Sequence, residues 1–199
     1  MSTYIQNFKK FQPLLNELIM RDIKTKYRKS ILGVFWTILN PLFMMVVLSV
    51  VFSNMFKFDV EYFPVYLLSG QLIFNFFNEA TTNAMGAIVA NGPLIKKIYV
   101  PKYMFVLSRI FSSSINLLAS FTAMIFVMLA MRVELHYTVL LAPIPLIFIV
   151  FFSLGVGLIL SAITVKFRDI MHLYSVFVTA LMYLTPVIYP MSILPEWLK

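Results

Sequence analysis

Four stretches of this chain, residues 30–56, 110–131, 137–165 and 170–195, contain no Asp, Glu, Lys or Arg, and each exceeds the roughly 20 residues that carry an α-helix across a bilayer. A fifth stretch, 62–95, is interrupted only by Glu79. Charged residues make up 12% of the chain, against about 25% in an ordinary soluble domain. A water-soluble fold is excluded on these grounds. The pattern predicts an all-α integral membrane protein forming a single domain, with transmembrane helices over 31–56, 64–90, 103–131, 138–165 and 170–189. Little chain remains for anything else.

A net charge of +8 would point to nucleic acid in a soluble protein, but here its placement follows the membrane. With the N-terminus inside, only Lys57, Arg132 and Lys199 of the sixteen basic residues fall outside. That bias is the positive-inside rule, and it sets a multi-pass topology with a cytoplasmic N-terminus. The segment before the first span is polar and basic, so the 30–56 run is expected to act as an uncleaved anchor rather than a signal peptide. The chain has no cysteine, which removes disulfides, thiolate metal sites and cysteine nucleophiles.

Residues 12–29 read as an amphipathic helix. Pro13 suits a first turn, and Leu14, Leu15, Leu18, Ile19 and Ile23 recur at helical spacing. Glu17 with Arg21, and Asp22 with Lys26, form favourable i,i+4 pairs on the polar face. An apolar stripe opposite Arg21, Lys24, Lys26, Arg28 and Lys29 suits the anionic inner leaflet. Two readings stand: a lipid-surface anchor, or an anchor that also touches a cytoplasmic partner.

The loop over 91–102 is cytoplasmic, short and basic. Asn91, Gly92 and Pro93 stop the preceding helix, and Pro93 and Pro101 bracket a brief interfacial helix. Leu94, Ile95 and Ile98 alternate there with Lys96, Lys97 and Lys102, with Tyr99 between them. Either the lysines merely enforce topology or the segment is a docking surface. In the third span, Ser108, Ser112, Asn116 and Ser120 share one face, as Ser153, Gly157 and Ser161 do in the fourth, with Gly155 nearby. Such stripes support close helix packing and interhelical hydrogen bonds.

Ionisable groups inside spans cost about 2.5–3.5 kcal/mol on insertion scales, so Glu79 and Arg109 each need a partner. Consecutive spans carry them, about 17 and 12 Å from the inner ends at about 1.5 Å per residue, and an ion pair between the two is expected. The alternative is that Arg109 snorkels and Glu79 faces a wet cavity. No phosphate-binding Gly-x-x-x-x-Gly-Lys-Ser/Thr loop occurs, and His136 and His172 are far apart in sequence. No catalytic or metal site and no cofactor is therefore expected, and the energy for any active transport comes from elsewhere. Aromatic residues form 16% of the sequence, with Phe74, Phe76 and Phe77 clustered. Rings of that kind usually pack, though aromatic walls also suit a sliding sugar chain.

The order of motifs is similar to one family. Arg21-Asp22-Ile23-Lys24-Thr25-Lys26-Tyr27-Arg28-Lys29-Ser30, Leu32-Gly33, Trp36 and Asn40-Pro41-Leu42 resemble the opening of the polysaccharide-exporting ABC permeases, those for O-antigen, capsule and teichoic acid. Leu94-Ile95-Lys96-Lys97, Val100-Pro101-Lys102 and the closing Thr185-Pro186-Val187-Ile188-Tyr189-Pro190 agree with it. The resemblance implies a non-enzymatic subunit in a bacterial inner membrane, working as a homodimer above two ATP-binding subunits and exporting a glycan on a lipid carrier. It implies that Leu94 to Lys102, Tyr99 and Pro101 included, is a coupling helix seated in the ATPase. It also makes Phe74, Phe77 and Tyr183 candidate channel lining. Members have six spans, so the chain is expected to be truncated before a sixth. A permease for drugs or lipids, a membrane-embedded glycan-modifying enzyme, and a passive channel or scaffold are the competing readings.

Overall fold

A computed structural model describes residues 2–28, 30–55, 62–134 and 137–191. Lys29, the expected external loop at 57–61, His136, Trp197 and Lys199 lie outside the described residues. The described residues form helices α1 (Ser2–Tyr27), α2 (Trp36–Met55), α3 (Phe63–Ala90), α4 (Gly92–Ile95), α5 (Tyr103–Ala130), α6 (Pro143–Lys166) and α7 (Ile170–Leu184), with single-turn 3-10 segments at Gly33–Phe35 and Tyr137–Leu141, and no strand. Tyr103–Ala130 and Val139–Lys166 are long and apolar enough to cross a membrane; Trp36–Val51 and Ile170–Leu184 are shorter apolar helices.

Helix α3 is the centre of the bundle, flanked by α5 and α6 and touched by α2 and α7. Its Ala80, Ala84 and Ala87 are fully buried, as are Met104, Phe105, Val106 and Ile110 of α5. Small residues at helical spacing let neighbouring backbones approach. The closest approach is at Gly157 of α6, where an added Cβ would stand 2.8 Å from the Cβ of Ala84. Ser153 and Ser161 flank it and are buried, so the expected stripe on α6 does face α3. Gly155 faces open space instead. The outer faces are strongly apolar: Phe148, Phe151, Phe152 and Ile159 on α6 and Leu173, Val176 and Phe177 on α7 are all exposed. An apolar patch of that extent needs a lipid or protein cover.

Element ends depart from the sequence expectation for identifiable reasons. Helix α1 starts ten residues earlier, at Ser2 rather than 12, and carries Pro13 in its interior. Lys9 and Pro13 are exposed, so the carbonyl that Pro13 cannot bond is left to solvent. Helix α2 begins at Trp36, not 31, because Gly33 takes a left-handed conformation at φ +48° and turns the chain. Helix α4 spans only Gly92–Ile95, not 91–102. Helical bonding continues from Ile98 N to Leu94 O at 3.1 Å and then stops, because Val100 precedes Pro101 and is pushed out of the α region. Helix α6 begins at Pro143 rather than 138 because that ring suits the first helical position. Helix α7 ends at Leu184, not 189: Thr185 precedes Pro186 and is extended, at φ −95° and ψ 144°.

The stretch after α7 folds back on α3. The Tyr66 hydroxyl reaches the carbonyls of Pro186 and Tyr189 at 2.9 and 3.0 Å. Gly70 makes room there, since a Cβ would lie 3.0 Å from the Val187 carbonyl oxygen. Lower on the same helix, the Tyr174 hydroxyl of α7 donates to Thr81 Oγ1 at 2.7 Å, and Thr81 donates to the Phe77 carbonyl at 2.6 Å. A buried hydroxyl chain with every member paired fixes how α7 is rotated against α3.

Candidate functional site

The interhelical ion pairs gather in one seam where α1 packs along α5 beside α3. Leu15, Leu18 and Asp22 lie on one face of α1 at i, i+3 and i+7, and all three are buried. The two leucines join the cluster formed by Val100, Met104, Phe105 and Leu72. The apolar stripe expected to rest on lipid thus covers protein, while Lys24 and Arg28 remain exposed.

Asp22 is the lower node of the seam. Its side chain is 5% exposed, and Oδ1 accepts Arg21 Nε at 3.2 Å and Arg21 Nη2 at 2.9 Å, with Arg109 Nη1 of α5 at 3.4 Å. Arg21 Nη1 also donates to Asn91 Oδ1 at 3.1 Å. Asn91 in turn donates Nδ2 to the Ala87 carbonyl at 2.8 Å, closing the end of α3. Two adjacent residues of α1 therefore hold both stems of the 91–102 loop: Arg21 holds the residue where it begins, and Asp22 holds the helix into which it runs.

Glu79 is the upper node. Its Oε1 accepts Lys26 Nζ at 2.8 Å, Asn116 Nδ2 at 2.8 Å and Ser113 Oγ at 3.4 Å. The Tyr27 hydroxyl donates to Asn116 Oδ1 at 3.0 Å. The expected pairing of Glu79 with Arg109 is corrected here: Glu79 pairs with Lys26 and Arg109 with Asp22. The reason is that α1 brings its own charges to α5, and each span charge meets the opposite sign there. The i,i+4 pairs expected within α1 yield to these partners. The α5 stripe is the seam's backbone: Ser112 approaches the Ile19 carbonyl at 3.5 Å, Ser120 donates to the Thr37 carbonyl at 3.3 Å, and Ser108 turns to its own helix. A double-mutant cycle on Lys26 and Glu79 should return about 1 kcal/mol of coupling, the upper range for partly exposed pairs, since their side chains are 44% and 34% exposed. The same cycle on Glu79 and Arg109 should return none.

Two cavities meet at this node. The lower, about 730 Å³, lies against Arg21, Asp22, Asn83, Asn91, Arg109 and Ser112; the upper, about 680 Å³, lies against Trp36, Asn40, Gln71, Asn75 and Phe76. Lys26, Glu79, Ser113 and Asn116 border both.

The 91–102 loop shows two faces. Leu94, Ile95 and Val100 pack inward, whereas Lys96, Lys97, Ile98, Tyr99 and Lys102 are exposed, Tyr99 at 90%; Pro101 is half-buried. The three candidate lining aromatics do not come together. Phe74 packs with Tyr174 and Val178, and Phe77 stacks on Phe152 at 5.7 Å between ring centres. Both are buried in this chain's own helix contacts. Tyr183 is exposed. Among the described residues no group of three His, Cys, Asp or Glu could hold a metal.

Sequence reasoning missed the Asp22 node with Arg21 and Arg109 and the Glu79 node with Lys26, Asn116 and Tyr27, and missed Gln71. The signal for Asp22 was present, because it continues the Leu15, Leu18 spacing into a buried position.

Residues 13–199 match the family model described as ABC-2 type transporter. The chain belongs to that family. Among curated relatives, the O-antigen export system permease protein RfbA of Myxococcus xanthus is 29% identical over 192 residues, covering 96% of this chain and 74% of the relative. RfbA of Klebsiella pneumoniae is 27% identical over 187 residues, covering 92% and 71%. The polysialic acid transport protein KpsM of Escherichia coli is 24% identical over 186 residues, covering 90% and 70%. This ABC-2 chain is thus similar along nearly its whole length to proteins named for O-antigen export and polysialic acid transport.

Proposed function

We propose that this chain is the membrane-spanning permease subunit of an ABC exporter that carries a lipid-linked polysaccharide across the bacterial cytoplasmic membrane. The observation that carries this reading is the alignment of nine-tenths or more of the chain with permeases named for O-antigen export and a protein named for polysialic acid transport. The seam supports it physically. A permease without a phosphate loop must receive work from a separate ATPase, and the exposed Lys96-Lys97-Ile98-Tyr99 face offers charge and an aromatic anchor of the kind that dominates interfaces.

In this reading two copies form the path and two ATP-binding subunits sit below, each taking one loop. Five spans follow from the long apolar runs, and the charge bias puts the N-terminus in the cytoplasm with α1 at the inner leaflet. When the ATPases close, the loop moves. Because Arg21 and Asp22 hold its two stems, α1 moves with it, and α5 follows through Arg109. The helices then change their packing around the path. No residue of this chain takes part in bond chemistry.

The test is the double variant Lys96→Glu, Lys97→Glu in cells that display the polysaccharide. Membrane levels should match the parent, copurification of an ATP-binding subunit should fall at least tenfold, and surface polysaccharide should fall with it. Normal copurification and normal display would remove the docking role. Normal display after deletion of the whole chain would remove the exporter reading, and loss of drug resistance or of a lipid instead would select the competing permease.

A further inference from the structure

We propose that the upper cavity is a saccharide subsite, a place where one or two sugar units of the exported glycan rest against side-chain amides; the proposal rests on the exporter reading and names what that path contacts. The cavity, about 680 Å³, falls within the roughly 300–1,000 Å³ usual for small-ligand sites. Its walls come from α1, α2, α3 and α5, and they present the side-chain amides of Asn40, Gln71 and Asn75, while the Asn116 amide is engaged by Glu79 and Tyr27.

An amide presents a donor and an acceptor side by side, which matches the paired hydroxyls of a sugar ring. Trp36 and Phe76 add flat apolar faces for the ring's C–H surface. The only charges at the wall, Lys26 and Glu79, neutralise each other at 2.8 Å. The chamber therefore has no free charge for a phosphate, and its apolar side chains, Pro41, Met44, Leu68, Leu72 and Leu117 among them, alternate with the amides. Amides set beside flat ring faces, with no free charge, suit an uncharged polyhydroxyl ligand.

Gln71 makes the case specific. It is 3% exposed, and its Oε1 is buried without a hydrogen-bond partner. A buried amide oxygen left unpaired is unfavourable, and a ligand hydroxyl donating to it removes the deficit. Neutral amide contacts are individually weak, so a sugar unit held by them is aligned without being trapped. The Lys26, Glu79 and Asn116 contacts form the floor and divide this chamber from the arginine-bearing one below.

The absence of cysteine gives a direct test in the assembled transporter. Asn75→Cys places one thiol on the cavity wall; Asn40→Cys is the second reporter, and both positions are exposed. Tyr137→Cys, at a 92% exposed site away from the cavity, is the control. Each variant is made in cells that synthesise the polysaccharide and in cells blocked at its first sugar transfer. The probe is a membrane-impermeant maleimide applied to opened membrane vesicles.

The expected result is several-fold slower labelling of both cavity thiols when glycan is made, with equal labelling of the control. Gln71→Leu should lower export several-fold at normal membrane level. Equal rates in the two strains, or no labelling in either, together with parental export by Gln71→Leu, would overturn the subsite. Chain deletion separates the two ideas: if it stops export while the thiols show no protection, the exporter reading stands and the subsite fails. If it leaves export intact, the exporter reading itself fails.

Discussion

Asp22→Ala should destabilise the protein by about 3 kcal/mol, the low end of the range for breaking a buried ion pair, read as a fall in thermal unfolding midpoint of the reconstituted protein. Asp22 is the anion for two guanidiniums, Arg21 and Arg109. Removing it leaves both cations unbalanced, and Arg109 at 29% exposure is too enclosed to be fully rehydrated. Arg21 is 43% exposed and recovers part of its solvation, which keeps the loss at the low end. Lys24→Ala, on the exposed face, should change stability by less than about 0.5 kcal/mol. The exchanged pair Asp22→Arg, Arg109→Asp should recover part of what Asp22→Arg alone loses. If Asp22→Ala and Lys24→Ala unfold together, Asp22 does not hold the seam.

Gly157→Leu should be as damaging in the other half of the bundle. Even one carbon at this position would meet the Ala84 Cβ at 2.8 Å, with Ile110 Cδ1 at 3.4 Å. Ala84 and Ile110 are fully buried, and neither has space to retreat. Overpacking of this kind costs about 1–3 kcal/mol, and a leucine should reach the top of that range by wedging α6 from α3. Gly157→Ala should cost less, and Ala84→Gly in the same chain should restore most of it by moving the one missing carbon to the other helix. Gly155→Ala is the control, since a Cβ there meets nothing. Equal unfolding midpoints for Gly157→Leu and Gly155→Ala would mean that α3 and α6 are not in contact at this point.

The positions of the helices were legible because charge-free runs and the need to bond every backbone group in lipid leave few alternatives. Their ends were less so. Gly33 reads as an ordinary small residue until its left-handed φ is seen, and Pro186 ends α7 through the residue before it. The stripes on α5 and α6 were legible as packing surfaces, since spacing alone puts Ser112, Asn116 and Ser120 on one side. Their partner was not. The amphipathic pattern of α1 is equally satisfied by lipid and by a protein groove, so periodicity did not reveal that Leu15 and Leu18 would cover α5. Pairing Glu79 with Arg109 followed from treating the spans as a closed set. Once α1 joins them, Lys26 and Asp22 become the nearer opposite charges. Composition singled out Phe74 and Phe77 without giving their neighbours: within this chain they pack toward α7 and α6.

The contacts of α1 also bear on the order in which the protein is made. Tyr27 and Asn116 are 89 residues apart. At about 5–20 residues per second of synthesis, Tyr27 precedes its partner by roughly 4–18 s, and Lys26 waits a shorter time for Glu79. During that interval the nascent α1 has an apolar stripe and a basic face but no groove. The inner leaflet is the surface that accepts both. On the proposed topology, lipid-surface attachment and packing against α5 would be successive stages of one helix, with the membrane as a temporary support until α5 is inserted.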